Sequence, residues 1–114
     1  MTPQPYSAMA WFVLAAVGEL VGCYALWTWL RDNRSPLLVV LATASLLFFA
    51  WCLTRTPVQF AGRAFAAYGG VYLVGALAWM AGVDRIRPDR WDLLGGALAL
   101  LGALVIVYGP RTSN

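Results

Sequence analysis

The 114-residue chain has no histidine and no lysine, only two cysteines and only five carboxylate side chains. Each shortage removes a class of chemistry. Without histidine, and with so few thiols and carboxylates, the usual metal sites, cysteine–histidine pairs and serine–histidine–aspartate triads cannot be assembled. The chain is therefore read as a non-enzyme with neither metal nor cofactor. Its net charge of +3 rests on eight arginines, nearly all in short breaks between apolar runs. No basic stripe follows from that arrangement, and no nucleic-acid partner is expected. Charged residues make up 11% of the chain and hydrophobic ones 61%. A soluble domain is typically about 45–50% apolar, so this chain carries more apolar surface than one small core can hide from water. The solvent it suits is a lipid bilayer.

Four apolar runs are present, at 8–30, 36–54, 64–83 and 91–109. The first reaches about 34 Å as a helix, enough to cross a hydrocarbon core of about 30 Å with some tilt. The second opens on Pro36, which suits a helix's first turn. In lipid the backbone must satisfy its own hydrogen bonds, and uninterrupted runs of this length do so as helices. The expected architecture is an all-α, four-transmembrane-helix bundle forming a single domain over residues 1–114. The breaks around Asp32, Pro57 and Pro88 are short and force antiparallel neighbours. Trp27, Trp29, Trp51, Trp79, Trp91 and Tyr108 fall near run ends and read mostly as interfacial anchors. The first run lacks a basic leader and a small-residue cleavage site, so it is expected to stay in the protein.

Arginine sets orientation. The first and third breaks hold Arg31, Arg34, Arg85, Arg87 and Arg90, while the second break and the tail hold Arg55, Arg63 and Arg111. Five against three is a weak bias toward both termini outside. It suits either ordinary variation in a small protein or a chain that inserts both ways and pairs head to tail.

Apart from Asp92 at the very start of the fourth run, Glu19 is the one charged residue within the four runs, and it lies near the bilayer midplane. A charge there costs about 2.5–3.5 kcal/mol on insertion scales and usually faces a bundle interior or a watery cavity. It reads either as a protonated hydrogen-bonding strut or as a carboxyl that takes protons and cations in turn. Helical spacing puts Phe12, Ala15, Ala16, Glu19, Gly22, Cys23 and Leu26 on one face, small around the acid, which suits close packing, a cavity, or both. Val13, Val17, Leu20, Tyr24 and Trp27 form the opposite face. In the third run Phe65, Tyr68, Tyr72 and Trp79 recur at helical spacing among Gly69, Gly70 and Gly75. Such a stripe is either aromatic packing or a cation site, with Tyr72 counted nearest the depth of Glu19. Gly95, Gly96 and Gly102 give the fourth run a groove for a helix of the same chain or of a second copy. Cys23 and Cys52 lie in apolar helices and imply no disulfide. Arg63 reads as an interfacial charge just before the third run, and Asp92 as a helix-start acid.

The stretches Glu19-Leu20-Val21-Gly22-Cys23-Tyr24, Gly62 through Tyr72, and Pro88-Asp89-Arg90-Trp91-Asp92 resemble the YnfA family of small bacterial inner-membrane proteins over nearly the whole chain. That family more often has tyrosine where Phe65 stands. It resembles in turn the small multidrug resistance transporters, four-helix antiparallel homodimers that exchange protons for cationic drugs. The shared features are an acid followed three residues on by glycine (Glu19, Gly22), an aromatic pair opening the third helix (Phe65, Tyr68), and a glycine motif in the fourth (Gly95, Gly96, Gly102).

The resemblance implies a proton-coupled exporter of small cationic or aromatic compounds, working as a homodimer in the inner membrane. Glu19, Phe65, Tyr68 and Tyr72 would meet proton and substrate, and Gly22, Gly95, Gly96 and Gly102 would serve packing or a dimer seam. Both termini would be periplasmic, with dual topology open. A passive pore and a structural membrane subunit are the alternatives.

Overall fold

The computed structural model describes residues 5–111. These form four α-helices and, among the described residues, no strand: α1 Pro5–Arg31, α2 Leu38–Thr54, α3 Ala61–Gly82 and α4 Arg90–Tyr108. Three of them, Ser7–Arg31 within α1 together with α3 and α4, are long and apolar enough to cross a membrane. At 17 residues α2 is shorter, about 26 Å.

Several boundaries move from those expected. Pro36 lies before α2, in a tight turn where Ser35 Oγ accepts from the Leu37 N–H at 3.2 Å and Leu38 N–H bonds to the Ser35 carbonyl. α3 starts three residues early, at Ala61, with Phe60 extended ahead of it, so Arg63 belongs to the helix. Its guanidinium sits 5.6 Å from the Phe60 ring centroid. The break between α2 and α3 shrinks accordingly, and Pro57 stops α2 from running on because it disfavours helical geometry in the residue before it. α1 ends where Asn33 takes a left-handed φ of 54°, a conformation asparagine tolerates. α4 opens with a capping box: Asp89 accepts from the Asp92 N–H at 2.9 Å while Asp92 accepts from the Asp89 N–H at 3.0 Å.

The helices pair as two hairpins, α1 with α2 and α3 with α4, joined mainly by contact between α1 and α3. Glycine sets the closeness of each pair. A Cβ on Gly22 would meet Leu46 Cγ at 2.8 Å, and one on Gly18 would meet Phe48 and the Ser45 carbonyl at 3.0 Å. Gly70 abuts the backbone of Ala99 and the Cβ of Ala103, and Gly96 faces Leu77. The core is correspondingly fine-grained: Ala8, Phe12, Ala15, Ala16, Cys52, Leu53, Ala67 and Tyr68. Leucines, valines and tryptophans point outward, among them Leu47, Trp51, Leu98, Leu101 and Val105. Large apolar side chains outside and mostly small ones inside suit lipid exposure, because close helix packing replaces hydrophobic burial as the cohesive force.

Candidate functional site

On the Glu19 face of α1, Phe12, Ala15, Ala16 and Gly22 are buried, Leu26 is half-buried and Cys23 is exposed, while on the opposite face Val13, Val17 and Trp27 are exposed and Leu20 and Tyr24 half-buried. Glu19 is itself partly buried. Across the α1–α3 contact, the Tyr68 hydroxyl donates to Glu19 Oε1 at 2.7 Å. Tyr68 is buried and wedged among rings, its centroid 5.4 Å from Phe49, 6.0 Å from Phe12 and 5.9 Å from Tyr72. The acid's depth thus matches Tyr68, one turn earlier in α3 than counting from the run ends had put it. The earlier start of α3 moves the register.

Glu19 and Tyr68 lie on the wall of a cavity of about 690 Å³ between α1, α2, α3 and the α2–α3 connection. Phe65 lines it as well. Tyr72 does not line it and packs on Tyr68 instead. Trp79 stands apart from this cavity, edge to face against Tyr24 at 5.3 Å. Its ring is half-buried there. The aromatic stripe of α3 therefore divides: Phe65 and Tyr68 face the acid's cavity, Tyr72 supports Tyr68, and Trp79 belongs elsewhere.

Sequence reasoning missed Phe49 and Leu53 of α2 and the connection residues Thr56, Val58 and Gln59, all of which line the cavity. Phe49 and Leu53 are four apart on a helix and could have been found by asking which face of α2 meets α1. The connection carries no period to read. Among the four glycines, Gly22 and Gly96 make packing contacts within the chain, whereas a Cβ on Gly95 or Gly102 would meet nothing within 4 Å beyond its own helix backbone, which leaves an open groove on α4. Cys23 is exposed and Cys52 buried, both as free thiols. Among the described residues no group of three or more cysteine or acidic side chains is placed to hold a metal.

Chemically, the site joins an acid to a ring-lined space. A tyrosine hydroxyl can donate to a carboxylate and can accept from a protonated carboxyl, so Tyr68 can partner Glu19 in either state. Ring faces attract desolvated cations.

A sequence model described as "Uncharacterised BCR, YnfA/UPF0060 family" matches residues 6–112. A UPF0060 membrane protein of Pseudomonas fluorescens is 53% identical over 104 residues, covering 91% of this chain and 94% of the relative. One from Ectopseudomonas mendocina is 54% identical over 101 residues, covering 89% and 92%, and one from an Acidovorax species is 51% identical over 107, covering 94% and 96%. No solved structure matches.

Proposed function

The chain belongs to the YnfA/UPF0060 family of membrane proteins, and on that footing we propose that it is a proton-coupled exporter of small organic cations, exchanging protons and substrate at Glu19. The observation that carries this reading is the seating of the Glu19 carboxyl, hydrogen-bonded to Tyr68 at 2.7 Å on the wall of a roughly 690 Å³ cavity, within an apolar helix. Ionisable groups in such helices usually mark ion or substrate paths.

The exchange is a competition for one carboxyl. A cation beside the carboxylate is held by charge in a low-dielectric setting, and a proton on the same group removes that attraction. Protonation from the outer side releases the cation, and deprotonation toward the inner side readies the site again. Tyr68 keeps the carboxyl oriented through both states. Phe65 and Tyr68 offer rings to the substrate, and Tyr72 braces Tyr68.

The working unit in this reading is a homodimer in the bacterial inner membrane, with antiparallel pairing preferred and both termini periplasmic in the majority orientation. Support comes from two features of the single chain. Glu19 is only partly buried and Cys23, one turn along the same face, is exposed, so the flank of the acid needs cover in lipid. Gly95 and Gly102 present an open groove that a second copy's helix can enter.

The test is flux and current in liposomes holding the purified protein under an imposed pH gradient. Export predicts that a fluorescent cation moves against its gradient while protons move the other way. Current without coupling would point to a pore, and neither flux nor current would point to a structural subunit.

A further inference from the structure

A second cavity, of about 400 Å³, lies at the other end of the bundle from the α2–α3 connection. Its walls include Tyr24 and Trp27 of α1, Trp79 and Met80 of α3, and Asp84 and Ile86 of the α3–α4 connection. Tyr24 and Trp79 meet edge to face at 62°, so the contact takes up a face of only one of the two rings.

The backbone sorts the charges around this space. The Val83 and Asp84 N–H groups both bond to the Trp79 carbonyl, at 2.7 and 3.3 Å, tying the start of the connection to the last turn of α3. Arg85 then takes a left-handed φ of 60°, and the Ile86 N–H returns to the Met80 carbonyl at 3.0 Å. As a result Asp84 and Ile86 line the aromatic cavity, while Arg85 and Arg87 line a separate groove. This end of the molecule carries Arg31, Arg34, Arg85, Arg87 and Arg90. Yet the one charged side chain lining the cavity, among the described residues, is a carboxylate.

We propose that this cavity is a second cation-binding site, for a monovalent organic cation such as a quaternary ammonium, held by the rings of Tyr24, Trp27 and Trp79 and countered by Asp84. Trp27 already accepts a cation from the protein itself, with Arg31 Cζ 4.6 Å from its ring centroid. Arg34 lines the groove beyond the Tyr24–Trp79 pair. Those two guanidiniums oppose a bound cation and Asp84 favours it, so affinity depends on charges that can be changed one at a time. Leu20 and Cys23, which flank Glu19 in α1, also line this cavity. The two cavities therefore approach the same stretch of α1 from opposite ends. As a station on an export path the site rests on the function proposed above; as a binding site it does not.

The experiment uses the folded Glu19→Gln chain in phosphatidylcholine nanodiscs, with labelled benzyltrimethylammonium as probe and circular dichroism to verify helicity. Glu19→Gln removes the charge of the first site, so saturable binding that persists reports the second. The expected result is one probe per chain, with affinity weakened about five- to thirty-fold by Trp79→Leu and about three- to ten-fold by Asp84→Asn, and strengthened by Arg31→Gln. Opposite signs for Asp84→Asn and Arg31→Gln cannot arise from damage to the fold. Absence of saturable binding in the folded Glu19→Gln chain, or binding indifferent to both Asp84 and Trp79, would overturn the site. Failure of proton-coupled transport by the wild-type chain, with this binding intact in Glu19→Gln, would count against the exporter and leave the second site standing.

Discussion

The Tyr68 hydroxyl donates a 2.7 Å hydrogen bond to Glu19 Oε1, joining α1 to α3 across 49 positions of sequence. Each helix packs most extensively on its hairpin partner, α1 on α2 and α3 on α4, so this bond ties the two hairpins together where the acid sits. A hydrogen bond is worth about 0.5–1.5 kcal/mol net, and about 1.5–3 kcal/mol where one partner is ionised. Tyr68→Phe keeps the ring contacts with Phe12, Phe49 and Tyr72 and removes only that bond. The expected outcome is a loss of that size in unfolding free energy in mixed micelles, with helicity retained. An unchanged free energy would mean that the bond does not brace the hairpins.

Glycine substitutions should divide by position. Gly70→Ala forces its new methyl against the Ala99 backbone and the Ala103 Cβ, an overpacking that typically costs about 1–3 kcal/mol. Gly95→Ala and Gly102→Ala meet nothing within the chain, and alanine gains about 0.8–1 kcal/mol of helix propensity over glycine. Unfolding measurements should therefore show Gly70→Ala destabilised and the other two stable or improved. Crosslinking of the same variants in liposomes addresses the homodimer: if Gly95 and Gly102 form the seam, both substitutions reduce dimer yield without harming the fold.

The start of α4 depends on the reciprocal bonds of Asp89 and Asp92. Replacing an N-cap aspartate by alanine costs about 0.5–2 kcal/mol. Asp89→Ala should lower unfolding free energy within that range, and amide exchange should quicken in the first turn of α4 while α1 and α2 stay protected.

Specificity in the first cavity should follow the rings that line it. Phe65→Ala removes a ring from the wall and should weaken binding of a planar cation by about 1–2 kcal/mol, a roughly five- to thirty-fold loss. Tyr72→Ala touches the cavity only through Tyr68 and should cost less. Titrations with several cations on folded variants provide the measurement; an equal loss for both variants would mean that the rings act through packing alone.

The helices were readable from sequence because lipid leaves the backbone little choice, and the Glu19 face of α1 because small and large residues alternate there at helical spacing. The pairing of Glu19 was readable only to within one turn. Its depth depends on where α3 begins, and Ala61, Gly62 and Arg63 look like connection until the helix is seen to include them. Gly95 and Gly96 are neighbours in sequence, yet one is open and the other packed, a distinction that needs the position of Leu77. The separation of Asp84 from Arg85 was hidden for a different reason. It depends on a positive φ at arginine, which no local pattern announces.

The central claim is that the carboxyl of Glu19 exchanges protons for cations. The measurement that tests it most directly compares wild-type, Glu19→Gln and Glu19→Asp chains in liposomes, following uptake of a fluorescent cation driven by an imposed pH gradient. Glutamine keeps the size and the hydrogen bonding of the side chain but cannot release a proton. The account predicts that Glu19→Gln folds normally and loses gradient-driven uptake, while Glu19→Asp retains uptake over an altered pH range. Wild-type levels of pH-driven uptake by Glu19→Gln would contradict it.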